Sequence, residues 1–185
     1  MIENFIKGKV AVFIDAANIE SSVRAEGFRL YHRQLARYLK KHCNLIYLGY
    51  YTVGFQSKNH QNFLKFLRRT DFTVKTKPLK IIRDIQGKLV TEINKANFDV
   101  EIAVDSMDFK SNFDTMFLFS GDSDFDYLVK RIRKDQKTVI VVSLRGHISL
   151  ELIKSANKYI PLTKFPKVLR KSSINKKSPP TSGGK

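Results

Sequence analysis

The chain has a single cysteine, Cys43, so neither an intrachain disulfide nor a cysteine-rich zinc site can form. That usage fits a reducing compartment. No apolar run approaches the ~20 residues of a membrane-spanning helix. Residues 1–9 lack the apolar stretch of a signal peptide. A cytoplasmic protein with no membrane partner is therefore expected. Glycine is infrequent, 9 of 185 residues. No Gly-Lys-Ser/Thr turn forms a phosphate loop, and no G-x-G-x-x-G follows the first strand. Asp15-Ala16-Ala17 lacks the second aspartate of a phosphoaspartyl phosphatase, and no nucleophile elbow supports a Ser-His-Asp triad. The four histidines, His32, His42, His60 and His147, show no metal-ligand spacing and are expected at the surface.

Acids are also scarce. Asp plus Glu number 17 against 34 Lys plus Arg, for a net charge of +17. Residues 164–185 hold seven of the bases and no acid. Without them 27 bases still face 17 acids, a net +10. An excess spread through the folded part points to a polyanionic partner, with nucleic acid first among them. Residues 166–185 are polar, basic and rich in Ser, Pro and Gly, and are expected to be a disordered tail that adds salt-sensitive affinity.

At 185 residues one domain is expected, over residues 1–165. Apolar runs at 9–14, 45–53, 72–77, 115–119 and 138–144 read as strands, with an edge strand at 159–162. Helical spacing marks 30–42, 57–69, 97–109, 123–134 and 149–157. Residues 15–27 read as a loop, or a loop with one helical turn. Residues 80–92, apolar around Gln86-Gly87, read as a β-hairpin arm. This alternation predicts an α/β fold, a parallel sheet with helices on both faces.

Two strands end in acid. The run Val10-Ala11-Val12-Phe13-Ile14 closes on Asp15, with Asn18 beyond it. The run Phe117-Leu118-Phe119 closes on Ser120-Gly121-Asp122-Ser123-Asp124. Open α/β sheets place their sites at such strand ends. Asp99 opens a helix that can face the same edge. Converging acids repel, and a cation between them relieves the repulsion. Singly, these acids also suit turn, N-cap and macrodipole positions. Asp105, six residues on from Asp99, falls on another helix face and is a candidate for orienting a water or a basic side chain. The run 122–126 imitates an EF-hand opening. The sixth and twelfth positions of that loop, however, are Tyr127 and Arg133 in place of Gly and Glu.

Three blocks together resemble the NYN domains, a group of PIN-like nucleases. Phe13-Ile14-Asp15-Ala16-Ala17-Asn18-Ile19 resembles their opening Asp-x-x-Asn motif. The block from Phe98-Asp99 through Val104-Asp105 resembles the central acidic helix of the LabA-like branch. Phe119-Ser120-Gly121-Asp122-Ser123-Asp124-Phe125 is similar to that branch's Ser-Gly-Asp-Ser-Asp-Phe motif. The blocks stand in the family's order and span residues 9–162. The resemblance implies a Rossmann-like PIN fold and divalent-metal-dependent ribonuclease chemistry, with Mg²⁺ or Mn²⁺. It implies Asp15, Asp99 and Asp122 as metal ligands. Asn18 and Ser120 would orient the first acid or a water, and Asp124 would be a ligand or a support behind one. PIN-like domains often pair, so a homodimer is a further expectation. In one departure, the lysine that the branch has three residues before its central acid is Ala96 here, with Lys95 one place earlier.

Acids cannot hold a polyanion by themselves, so basic groups must. Lys75, Lys77, Lys80 and Arg83 along the third strand and the arm, with Lys95, are the candidate nucleic-acid contacts. Lys65, Arg68 and Arg69 end one helix, and Lys130, Arg131, Arg133 and Lys134 crowd another, the latter read as a solvated face. Tyr50, Tyr51 and Phe55 can stack single-stranded bases or fill the core. The expected activity is RNA phosphodiester hydrolysis by a metal-activated water, on single-stranded or structured RNA. The alternatives are a non-catalytic, regulatory RNA-binding module and a structure-selective DNA nuclease.

Overall fold

The computed structural model describes residues 2–78, 80–86, 89–95 and 97–172. Its centre is β1 (Lys9–Asp15), in which every residue after Lys9 is buried. Such a strand, apolar on both faces, is the mark of a parallel sheet covered on both sides. β1 lies between two parallel neighbours, and the chain runs outward from it in each direction.

On one side are β3 (Asn44–Gly54) and β4 (Thr73–Pro78). On the other are β7 (Thr115–Phe119), β8 (Thr138–Ser143) and β9 (Lys158–Pro161). The order of this all-parallel six-stranded sheet is β4-β3-β1-β7-β8-β9. Pro78 joins the end of β4, where an edge strand tolerates a residue with no N–H.

Alternate residues of β1 feed two cores. Val10, Val12 and Ile14 pack with α1 (Ala16–Ala25), α2 (His32–His42) and α3 (Lys58–Arg69) through Ile19, Leu35, Leu39 and Leu67. Ala11 and Phe13 pack with α4 (Asp99–Phe109), α5 (Asp126–Lys134) and α6 (Leu150–Ser155) through Ile102, Val129, Ile132 and Leu152. The expected α/β sandwich is therefore the observed one. β5 (Lys80–Gln86) and β6 (Leu89–Lys95) pair antiparallel as a separate two-stranded sheet, which agrees with the hairpin reading.

Two expectations are corrected. Residues 16–25 are a full helix, α1, capped by the Asp15 carboxylate accepting from the Asn18 N–H. Its Ile19 and Val23 are buried four residues apart, a pattern too short to stand out among polar neighbours. The boundary at 165 also moves. Val168 is fully buried, and β10 (Leu169–Lys171) pairs antiparallel with β2 (Phe28–Leu30). The Tyr31 N–H donates to Val168 O at 2.7 Å, and the Ser172 N–H donates to Gly27 O at 2.8 Å. Residues 166–172 thus belong to the fold, and the rest of the expected tail, 173–185, lies outside the described residues. Burying one valine is worth about 1.5–3 kcal/mol. A chain ended after Phe165 is therefore expected to melt roughly 4–8 °C below one ended after Ser172. Equal melting temperatures would deny β10 its structural role.

Candidate active site

Sheet order reverses between β1 and β7, and such a switch point opens a crevice at the strands' C-terminal ends. Ile14 lies beside Phe119 in register, so Asp15 and Ser120 emerge side by side. Ser120 Oγ donates to Asp15 Oδ2 at 3.1 Å and accepts from the Asp122 N–H at 3.2 Å. Asn18 Oδ1 accepts from the Gly121 N–H at 2.9 Å. The first motif therefore holds the turn of the last one, and Asn18 and Ser120 are the fasteners.

The turn presents Asp122 and Asp124, and α4 brings up Asp99. One carboxylate oxygen from each of these three lies within 4.8 Å of the others. Asp99 and Asp122 are half-buried and Asp124 is exposed. Asp15 sits just behind, 6% exposed, with both oxygens occupied by Asn18 and Ser120. Of the four expected site acids, Asp124 stands with Asp99 and Asp122 in the group of three, and Asp15 lies behind it, bonded to Ser120. The bland roles hold as well. Asp122 Oδ1 accepts from the Asp124 N–H as a cap, and Asp99 begins a helix.

Burial pushes the Asp15 carboxyl above its usual range, aided by the charges of Asp99 and Asp122 and opposed by its hydrogen bonds from Asn18 and Ser120. Burial also raises Asp99. Asn97 opposes that rise, and Asp122 and Asp124 add to it. A carboxyl raised in this way binds a proton more readily folded than unfolded, so its ionisation costs stability as pH rises past the folded pKa. Asp99→Asn is thus expected to stabilise the metal-free protein at pH 7. That gain should fade as pH falls through the raised pKa toward the ordinary carboxylate value, about 4. Thermal unfolding in EDTA across this range checks it, and a gain that stays constant with pH would contradict the shift.

Three mutually repelling carboxylates are hard oxygen donors, the set that Mg²⁺ and Mn²⁺ prefer. The residues present fit such an ion, and an acidic cluster of this kind suits a metal-dependent nuclease.

The remaining candidates are dispersed. Asp105 accepts from the Tyr51 hydroxyl at 2.8 Å and lies 3.5 Å from Lys75 Nζ, outside the group of three. Lys77 pairs with Glu101 at 2.6 Å, donates to Asn97 O, and lies 4.5 Å over the Phe98 ring. Its charge helps hold Asp99 down. The side chains of Lys80, Arg83 and Lys95, and all of Ala96, lie outside the described residues. On α5, Lys130 pairs with Asp126, Arg131 with Asp135, and Arg133 donates to Ser155 O, so that helix face is locally tied. Tyr50 and Tyr51 are buried, while Phe55 is 45% exposed. Burial pushes the Cys43 thiol up to about 12, which leaves it unreactive.

The sequence reading missed a polar network beside this site. His32 is buried, not at the surface as expected. Its Nε2 lies 3.0 Å from both Glu20 Oε1 and the Tyr50 hydroxyl, and that hydroxyl donates to Glu20 Oε1 at 2.9 Å. The three come from α1, α2 and β3, so no local spacing announces them.

Comparison with known proteins fits this geometry. The family described as NYN domain matches residues 9–163. The chain is 28% identical over 170 residues to the Low amplitude and bright protein LabA of Synechococcus elongatus, covering 91% of each chain. It is also similar to a crystal structure of a protein of unknown function from Vibrio parahaemolyticus. The TM-score is 0.73 at 26% identity, over 84% of this chain and 93% of that one. Among the described residues no helix is long and apolar enough to cross a membrane.

Proposed function

The chain belongs to the NYN domain family, and from that premise we propose that it is a divalent-metal-dependent ribonuclease. The observation that carries the proposal is the meeting of Asp99, Asp122 and Asp124 within 4.8 Å at the switch point of the sheet. Mg²⁺ or Mn²⁺ is the ion these three residues would hold. Bound there, it would lower the pKa of a water and neutralise charge on the phosphoryl oxygens.

The rest of the chemistry falls to the chain's own groups. Asp15 fixes the turn from behind through Ser120, so the acids stay at their separation without substrate. Pre-set geometry of this kind lowers the cost of ordering at the moment of reaction. Lys77, paired with Glu101 at the α4 start, lowers the negative potential beside Asp99 that an approaching phosphate would meet. The net +17 charge draws the polyanion in. The exposed Tyr127 lines a depression together with Asp99 and Asp124.

The test is cleavage of an internally labelled, mixed-sequence single-stranded RNA in Mn²⁺, Mg²⁺ or EDTA. Products in the metal lanes alone support the proposal. Binding without cleavage in every lane would replace it with a non-catalytic RNA-binding role. Cleavage of DNA in preference to RNA would move the substrate to the other polymer.

A further inference from the structure

A cleft of about 690 Å³ opens beside the carboxylates, within the size range of built ligand sites. Ala16 and Phe98, the neighbours of Asp15 and Asp99, form its edge nearest the acids. Phe55 and Phe63 give it aromatic walls, and Tyr50, His32 and Glu20 give it a polar end. Phe55 is exposed, with its ring set edge-on to His60 at 5.0 Å. Hydrogen bonds to His32 and Tyr50 keep the Glu20 carboxyl below its usual range against the pull of burial, so it stays an ionised acceptor. Both bonds go to Oε1, and among the described residues no hydrogen bond reaches Oε2. The cleft thus offers stacking faces together with a carboxylate oxygen open to N–H donors, which is what an unpaired base presents.

Two further depressions share lining with its neighbourhood: one on Phe66 that takes in Leu30, His32 and Arg33, and one between Arg33, Lys65 and Arg69. Arg33 lies over the Phe66 ring at 5.4 Å. Among the described residues these three bases make no ion pair, unlike Lys75 and Lys77. Unpaired, exposed bases around one depression are free to neutralise a phosphate backbone.

We propose that this cleft seats one unstacked nucleobase of a single-stranded nucleic acid, whose phosphates continue over Arg33, Lys65 and Arg69. The proposal rests on the nuclease reading for its direction, since it runs the strand away from the acids. Only a single strand, or an extruded nucleotide, can put a base inside a cavity. Stacking against Phe55 and Phe63 tolerates any base, and Glu20 favours bases that present N–H groups.

The test is fluorescence anisotropy in EDTA, where no cleavage occurs, with labelled single-stranded RNA, single-stranded DNA and duplex. Phe55→Ala is expected to weaken single-strand binding about tenfold, the scale of losing one stacked base. The exposed pair Arg33→Glu and Arg69→Glu together should weaken it at least about tenfold and flatten the salt dependence by roughly 1.4 in log–log slope. The same two-charge reversal at Lys134 and Lys154 should leave it within about twofold, which separates the path from net charge. Melting curves confirm that each variant is folded. Wild-type affinity in the cleft variants, or duplex binding as tight as single-strand binding, overturns the proposal. Binding that follows the cleft, in a protein that cleaves nothing with metal, would sink the nuclease reading alone. Metal-dependent cleavage with cleft variants that bind like wild type would sink this one alone.

Discussion

Asp122→Asn is expected to lower metal-dependent cleavage about a thousandfold while the protein folds normally and binds RNA as well as wild type or better. Asp122 is the centre of the site in two senses. Its carboxylate is one of the three that converge, and its charge raises both Asp15 and Asp99. Asparagine keeps the side-chain oxygen that caps the Asp124 N–H, so the turn should persist. It removes an anionic oxygen that the proposed ion would use, and a bound ion supplies several kcal/mol of stabilisation to a hydrolytic transition state. Each 1.36 kcal/mol is tenfold in rate, so several kcal/mol is about a thousandfold. Binding responds in the opposite direction because a negative charge leaves a groove that must accept phosphates. Single-turnover cleavage in Mn²⁺ and anisotropy in EDTA measure the two effects separately. An Asp122→Asn protein that cleaves at the wild-type rate would sink the site assignment. One that loses cleavage and stability together would show only that the turn had collapsed.

Much of this site could be read in the chain because its acids sit at the ends of apolar runs. Asp15 after Ile14 and Asp122 shortly after Phe119 announce themselves by where the apolar run stops, and β1 and β7 prove to be neighbours at the switch point. The division of labour among the acids could not be read. Asp15 is held behind the group of three by bonds from Asn18 and Ser120, 3 and 105 residues away in sequence. Motif spacing carries no information about a bond of that span. The same holds for the cleft. Glu20, His32 and Tyr50 come from three elements, and a buried histidine looks like an exposed one until its partners are placed. The tail misled for a compositional reason. Val168 and Leu169 are two apolar residues among Lys, Arg and Ser, too few to register as a strand, yet β2, far earlier in the chain at Leu30, supplies the pairing that makes Leu169–Lys171 one.

Gly121→Ala is expected to cost both stability and activity, through the backbone and not through any lost side chain. A methyl group at residue 121 would stand 1.8 Å from His147 O and 2.9 Å from Ile148 Cα. These are main-chain atoms that cannot swing aside, so either the turn or residues 147–148 must move. Both are committed. Gly121 O accepts from the Ser149 N–H at 3.0 Å, and Ser149 Oγ caps α6 at the Leu152 N–H. On the other side, the Gly121 N–H donates to Asn18 Oδ1 at 2.9 Å. Overpacking of this kind costs about 1–3 kcal/mol, and loss of a buried hydrogen bond adds about 1 kcal/mol. For a chain of this length the melting temperature should fall by roughly 5–10 °C. The next residue is Asp122, and a shift near 1 Å at a reacting group can cost about a hundredfold in rate. Mn²⁺ should also raise the melting temperature of the variant less than that of wild type, because a displaced Asp122 weakens the site. Thermal unfolding with and without Mn²⁺, followed by cleavage at a temperature where both proteins are folded, resolves the two costs. A variant that melts and responds to Mn²⁺ like wild type would mean that residues 147–148 yield freely, and the turn would then owe its position to Asn18 and Ser120 alone.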